Sequence, residues 1–549
     1  MLLWLCSATV SIDRMRIFNS MTKHHRTAST YIAAIDQGTS STRVILYDQG
    51  TLVPKASHQV QLSNATSTPQ AGWVQMNPAA LLLSVENCFQ GVLEQVGATA
   101  QDVTAVGITN QRESLVVWDR KTGEALHECI LWLDTRTRDI VGDLEQKLGS
   151  TNALRNITGL PLSTYFTGVK LKWMMDNVPL VRQAIERGTC QVGTVDAFLA
   201  ARLTGVHVTD VTNASRTLMM DLHTCSWSND AIEALDLPSS LVGCNGESRG
   251  VLPRIVGSAE HVGTIKSGTF EGVPLTGIIG DQQGAMVGQR CFESGMAKTT
   301  YGTGAFCLMN TGNTAFPSNS GLLTTALYSA PGELDPSTMT YALEGAVGSC
   351  AVGINWFSDK LKLFDSPMEM DKKAAQALGN GGTSGLYFVS AFGGLLAPHW
   401  RDDARGTLVG LTLAHDDTHI CLSILEGIAF QVRDVVNAMV QDTEGRSKLV
   451  TMKVDGGVCK SDPLLQSQAN FLGRNVIRPQ NVETTAMGAA IVTGAGAGLW
   501  ERYEDSPLGG AESDDGTIFV SMLGDKERQE RVSNWQHAVQ SSLNWAGRT

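Results

Sequence analysis

The chain is short of positive charge, of cysteine in any ligating pattern, and of long apolar runs. Its 42 Lys and Arg are outnumbered by 54 Asp and Glu, for a net charge of −12. A surface built for nucleic acid or anionic lipid needs the opposite balance, so neither is expected as a main partner. No apolar run approaches the roughly 20 residues that span a bilayer, so the chain is not read as membrane-spanning. The eleven cysteines, from Cys6 to Cys459, stand singly, with no CxxC and no Cys/His cluster. An odd count in so long a chain argues against a disulfide framework and for free thiols in a reducing compartment. Asn64, Asn156 and Asn213 each open an N-x-S/T triplet, which arises often by chance and calls for no glycan.

What is present is globular. Apolar residues make up 42% of 549 and charged residues 17%, enough for two large domains or three smaller ones. The first thirty residues differ from the rest. MLLWLCSATV is apolar but short and has no basic residue before it, which makes a poor secretory signal. Arg14, Arg16, Lys23 and Arg26 then face the single acid Asp13 among several Ser and Thr. That composition fits a mitochondrial transit peptide. The preferred alternative is that Met15 or Met21 is the true initiator and the protein is cytoplasmic.

Folded sequence is expected from Tyr31. YIAAID and VILYD flank a Gly/Ser/Thr turn and predict a β-hairpin over 31–48. Helical spacing runs over 77–96, a buried strand over 102–113, and a helix over 170–187 with Trp173, Met174 and Val181 toward the core. Strands alternating with helices indicate an α/β architecture. A second Gly/Thr turn, Gly302-Thr303-Gly304, lies between apolar runs in MAKTTYGTGAFCLMN, about 265 residues after the first. The echo implies two related domains, each offering a hairpin turn to one ligand, with the boundary between 280 and 295. A closing helix is expected over 525–545.

Four segments carry chemistry. DQGTSSTR, residues 36–43, concentrates backbone N–H groups at Gly38 with the hydroxyls of Thr39, Ser40, Ser41 and Thr42 and the charge of Arg43. Such a turn suits a polyphosphate, and Asp36 beside it calls for a Mg²⁺ between the carboxylate and the phosphates. An ordinary polar hairpin turn is the plainer reading. GIIGDQQGAMVGQ, residues 277–289, ends a strand at Gly280 and delivers Asp281 and Gln282 at the start of a helix. A carboxylate so held suits a general base toward a hydroxyl, while a helix N-cap is the plainer reading. In ITNQRE, Arg112 offers a rigid fork of donors and Glu113 an acceptor, together a hydroxyl-binding pair, although such pairs are more often surface ion pairs. In MKVDGGVCKSD, the pair Gly456-Gly457 lets a flat group such as adenine lie against the backbone.

The order DQGTSSTR, GDQQ, YGTG, VDGG, at these separations, resembles the FGGY carbohydrate kinases, as do YFTGVKLKWMMDN and GTLVGLTLAHDDTHICLSILEGIAF. The resemblance runs from about Tyr31 to Trp500. It implies two actin-like (ribonuclease H-like) domains flanking a central catalytic cleft, divided as 31–285 and 286–549. ATP and Mg²⁺ are the implied cofactors. ITNQRE, LWLDTRT, DVTNASRT, TYGTG and YALEGAV are most similar to the glycerol-phosphorylating members. Carried over by position, Arg112, Glu113, Tyr165, Asp281 and Gln282 would hold glycerol, with Trp132 and Phe306 on its carbon side. Asp281 would be the catalytic base. Thr39, Ser40, Ser41, Arg43 and Thr303 would meet the ATP phosphates, Asp36 would face Mg²⁺, and Gly457 would lie by the nucleoside. Ala351, Asn355 and Ser461 depart from the residues found near the nucleotide in bacterial members. The loop 266–272 lacks the Gly-rich, Arg-containing stretch that binds fructose 1,6-bisphosphate in some of them, so that control is not expected. A homo-oligomer, dimer or tetramer, is also implied. A pentulose or other polyol kinase of the same fold, and a non-catalytic ATP-binding clamp, are the competing readings. Retention of Asp36, Arg43, Asp281 and Thr303 weighs against the second.

Overall fold

The computed structural model describes residues 30–243, 250–480, 483–508 and 516–546. The segment 1–29, with both readings of it, lies outside the described residues. Among those described, the cysteines are buried and none forms a disulfide. No described helix is long and apolar enough to cross a membrane.

The first hairpin forms as its alternation predicts. Tyr31–Gln37 (β1) and Ser41–Asp48 (β2) pair antiparallel, and the Gly38 N–H closes the turn on the Ser41 carbonyl at 2.9 Å. Pro54–Gln61 (β3) extends the hairpin antiparallel. Val103–Asn110 (β4) lies parallel to β1 on the other side. Gly263–Thr264 (β5) forms the far edge, antiparallel to Pro274–Gly280 (β6), which runs parallel to β4. The order is β5-β6-β4-β1-β2-β3.

The second sheet repeats the scheme. Met296–Tyr301 (β7) and Ala305–Gly312 (β8) form the second hairpin. Leu323–Tyr328 (β9) is the outer strand beyond Thr340–Val347 (β10), which pairs antiparallel with β8. Thr451–Asp455 (β11) and Val476–Arg478 (β12) follow in parallel beside β7, and Thr517–Phe519 (β13) closes the edge antiparallel. From its first strand each sheet takes antiparallel steps on one side, two in the first sheet and three in the second, and on the other side two parallel steps followed by an antiparallel edge strand. The likeness read between two Gly-rich turns extends through both sheets.

Helices cover the sheets where sequence signals place them. Pro78–Val96 (α1) starts at Asn77, whose side chain accepts from the Ala79 N–H, and stops at Gly97 with φ 64°. The helix expected over 170–187 is two, Thr167–Asn177 (α2) and Pro179–Glu186 (α3), because Pro179 cannot donate to the ladder of a continuing helix. Met174 and Val181 are buried, whereas Trp173 is only half-buried and meets the Arg136 guanidinium. Asp281–Gly288 (α4) leaves the end of β6 directly. Ala351–Asp359 (α5), Asp417–Asp442 (α6) and Asp462–Leu472 (α7) lie in the second half, and the closing helix is Asp525–Ser541.

The two halves are joined through a common core. Ile32, Ala34 and Ile45 of the first sheet, Leu308 and Ala342 of the second, and Met286, Met487 and Ile491 share one buried cluster. Met487 and Ile491 belong to Thr484–Gly496 (α8), which packs on β1, β4 and β6 of the first sheet and along α4. The approach of α8 to α4 is set by glycine. A Cβ on Gly488 would stand 1.8 Å from the Gly284 carbonyl oxygen, and one on Gly288 would stand 1.9 Å from that of Thr484. Both opposing groups are helix backbone and have no rotamer with which to yield. Gly488→Ala is expected to force α4 and α8 apart at a cost of about 1–3 kcal/mol. Thermal denaturation followed by circular dichroism would show this as a lowered Tm, and an unchanged Tm would contradict so tight a contact.

Candidate active site

Strands β1, β4 and β6 run parallel in register, so their C-terminal ends at Gln37, Asn110 and Gly280 lie side by side. Arg112 and Glu113 lie just past the end of β4 rather than within the strand expected over 102–113. Glu113 sits at φ 62°, in the left-handed region that a non-glycine residue avoids, and is 1% exposed. The surface-pair reading is corrected, since both residues are buried and each pairs with a partner of its own. The Arg112 guanidinium donates to both oxygens of Glu344 at 2.6 and 3.1 Å, and its Nε lies 3.0 Å from Asp281 Oδ1. Arg216 Nε donates to Glu113 Oε1 at 2.6 Å and Arg216 Nη2 to Glu344 Oε1 at 3.3 Å. Four charged groups thus form an alternating buried chain, Glu113, Arg216, Glu344, Arg112, with Asp281 at its open end. Glu344 comes from β10 of the second half.

Burial sets the protonation of these groups, and their neighbours correct it. Burial drives the Glu344 carboxyl upward, but Arg112 and Arg216 outweigh it and hold the group at about 2. Burial raises Asp281 above its ordinary 3.8, against the pull of Arg112, the Gln282 N–H and Lys298. Asp36 is pushed up to about 7 by burial and by the charge of Asp281, with Arg43 acting the other way. Asp36 with the hydroxyls of its turn offers hard oxygen donors of the kind a divalent cation takes, while among the described residues no three acidic, His or Cys side chains cluster to hold one. As for the plainer reading of Asp281, the helix N-cap is Gly280, and Asp281 is the first helical residue.

The remaining predicted residues fall into three groups. Trp132, Tyr165 and Phe306 form an aromatic wall, with Trp132 edge-on to Tyr165 at 5.5 Å and to Phe306 at 6.5 Å. Trp132 Nε1 also donates to Thr39 Oγ1 at 2.9 Å, joining the wall to the phosphate turn. In that turn Ser40 is exposed, and Ser41 accepts from Gln59 Nε2 at 2.8 Å. Arg43 is held by Glu483 and by Gln59 Oε1 at 2.9 Å, so its charge reaches a phosphate only by leaving or sharing that carboxylate. In the second half, Thr303 is exposed at the hairpin tip. Its carbonyl accepts from the N–H groups of Cys350 and Val352, which docks the tip on the start of α5.

Ala351 opens α5, its N–H bonded to the Gly302 carbonyl, and Asn355 is exposed one turn along. Gly457 faces open space beside Gly456, whose φ of 90° and closeness to the Tyr301 backbone admit no side chain. The Ser461 hydroxyl is occupied within the fold, where it caps α7 and donates to Asp371 Oδ1 at 2.5 Å.

Two family models match the chain. The N-terminal domain of the FGGY family of carbohydrate kinases covers residues 31–288 and its C-terminal domain residues 297–497. The chain belongs to the FGGY family of carbohydrate kinases. Within it, the chain is 41% identical to the probable glycerol kinase of Dictyostelium discoideum, over 94% of this chain and 98% of that one. Against the glycerol kinase of Arabidopsis thaliana the identity is 40%, with 94% and 98% covered. Among solved structures, Plasmodium falciparum glycerol kinase with ADP matches with a TM-score of 0.85 at 34% identity, covering 94% of this chain and 98% of that one. A xylulose kinase from Lactobacillus acidophilus matches with a TM-score of 0.79 at 20% identity, over 93% and 97%, which speaks for the fold alone.

Sequence reasoning assigns no role to Arg216, Glu344 or Lys298. Arg216 and Glu344 lie inside family-like segments, but nothing in one sequence says that a strand glutamate is buried between two arginines. Glu344→Gln leaves two guanidinium groups without a shared anion, and the expected loss is about 3–5 kcal/mol. Because its folded carboxyl lies near 2, below the ordinary 4.5, the contribution of Glu344 is full above pH 4.5 and is lost as pH falls toward 2. Urea denaturation at pH 7 measures the difference, and a loss under about 1 kcal/mol would assign the network little weight.

Proposed function

We propose that this chain transfers the γ-phosphoryl group of ATP to a terminal hydroxyl of glycerol, giving sn-glycerol 3-phosphate and ADP. The observation that carries the reading is the recess itself. A buried Arg112 and Glu113 and a half-buried Asp281 stand with three aromatic rings, a mix of donors, acceptors and apolar faces that suits a short polyol. Relatives named glycerol kinase at 40–42% identity over 94% of the chain, and a solved glycerol kinase carrying ADP, support it.

Residues 31–285 would supply the substrate recess and the phosphate turn, and residues 286–549 the second turn and the nucleoside face. Arg112 donates to glycerol hydroxyls, and Glu113 and Tyr165 complete the hydrogen bonds. Trp132 and Phe306 exclude water from the carbon edge. Thr39, Ser40, Ser41, Arg43 and Thr303 meet the phosphates from two sides, with Gly457 beside the nucleoside. Ala351 and Asn355 flank the second turn. The Ser461 hydroxyl, engaged with Asp371, is a poorer nucleotide contact than its position in the motif implies. Asp36 would hold Mg²⁺, which when bound neutralises phosphate charge. Phosphoryl transfer is loose and relies on positioning and charge neutralisation, so no covalent enzyme intermediate is needed. Asp281 takes the hydroxyl proton as the oxygen attacks.

Asp281→Asn is expected to lower kcat about 10²–10⁴-fold while the glycerol KM changes far less. Glycerol-dependent ADP release measures both, and near-normal turnover in the variant would remove Asp281 from the role of base. In the unsubstituted enzyme Asp281 works as base only when ionised. Since its carboxyl is raised, turnover should fall on the acid side at a pH above the ordinary 3.8.

A further inference from the structure

Lys298, on β7, is fully buried. Its Nζ donates to Gln282 Oε1 at 2.6 Å and to Thr300 Oγ1 at 2.7 Å. Among the described residues no carboxylate oxygen comes within 4.0 Å of it; Asp281 and Glu344 feel its charge only from further away. A buried ammonium without a contact anion is costly, and its place here calls for a reason beyond folding.

The hydrogen bond to Gln282 supplies that reason. An ammonium has donors and no acceptor, so the glutamine atom facing it must be the amide oxygen. The amide N–H₂ is then the end left to face away from Lys298. Gln282 follows Asp281 on the first turn of α4, and both residues keep part of their surface exposed. A hydroxyl that accepts from the Gln282 amide keeps its own proton free to donate to Asp281. That polarity is the one phosphoryl transfer needs, with a lone pair toward phosphorus and the proton toward the base. Were the amide turned round, its oxygen would compete with Asp281 for the same proton.

We propose that Lys298 is a positioning residue that fixes the amide orientation of Gln282, and thereby the direction of the hydroxyl proton toward Asp281. The step itself is unchanged. The hydroxyl oxygen bonds to the γ-phosphorus, the bond from that phosphorus to the β,γ-bridging oxygen breaks with its electrons leaving on ADP, and the proton passes to Asp281. The inference rests on the glycerol-phosphorylating reading above.

The test is a double-mutant cycle on the full chain with ATP, Mg²⁺ and glycerol, using Lys298→Met, Gln282→Ala and the pair. Lys298→Met is expected to lower kcat about 100-fold, as a misdirected reacting group does, with glycerol KM moving only a few-fold. The double variant should fall no more than a few-fold below Gln282→Ala, since Lys298 then has nothing to orient. Losses that multiply in the double variant, or a Lys298→Met enzyme with near-normal kcat, would overturn the proposal. Lys298→Arg, which keeps charge and donors, should recover at least a tenth of the lost kcat even where Lys298→Met folds poorly. Failure of a folded Lys298→Arg enzyme to exceed Lys298→Met would also count against it. An unsubstituted enzyme with no glycerol-dependent ADP release would instead sink the functional reading on which the inference stands.

Discussion

Water is kept from a chain of opposite charges at the centre of this molecule, and the active cleft is built on that exclusion. Glu113, Arg216, Glu344 and Arg112 alternate in sign, each within hydrogen-bond reach of the next and each nearly without exposure. Such a cluster adds little as pure stabilisation, because desolvating ions costs several kcal/mol apiece. What it provides is geometry. A bidentate contact with Glu344 leaves Arg112 only one direction for its Nε, toward Asp281. Glu113 is held in a left-handed backbone that only so tightly specified a neighbourhood sustains. Since Glu344 comes from the second sheet, the same bonds that orient the substrate-facing side chains also tie the two halves across the cleft.

The sheets frame this cluster in a repeated way. Each begins with a hairpin whose glycine-bearing turn faces the cleft, and each has parallel neighbours whose ends deliver polar residues or glycines: Arg112 after β4, Asp281 after β6, Gly456 and Gly457 after β11. Helix α8, from late in the chain, packs on the first sheet and shares the glycine-lined contact with α4. The helix that presents Asp281 and Gln282 is therefore wedged from behind by the other half, so the candidate base sits on rigid backbone rather than on a loop.

Much of this is legible in the sequence where local chemistry and tertiary structure agree. The two hairpins are readable from alternation broken by Gly and Thr, the 78–96 helix from Asn77, Pro78 and Gly97, and Asp281 from a strand ending in glycine. Other features have no local signal. Lys298 in a strand looks like an outward-facing lysine, and only the fold turns it inward onto Gln282. Glu344 in YALEGAV reads as a polar position on an alternating strand, and its two arginine partners lie 128 and 232 residues away in sequence. Ser461 reads as a ligand contact by position in its motif, yet its hydroxyl caps a helix and binds Asp371. The helix break at Pro179 has a local signal in the proline itself, but apolar spacing continues through it and masks the break.

The central claim is that Arg112, Glu113 and Asp281 under the Trp132, Tyr165 and Phe306 wall select a three-carbon polyol. The most direct measurement is kcat/KM of the full chain with MgATP for glycerol, dihydroxyacetone, erythritol, xylulose and ribulose, read as ADP release. Glycerol should lead, because a longer chain meets the aromatic wall and a site built to bond particular hydroxyls discriminates against partners that leave them unpaired. A clear lead for xylulose or ribulose would contradict this view of the recess while leaving the kinase fold and family in place.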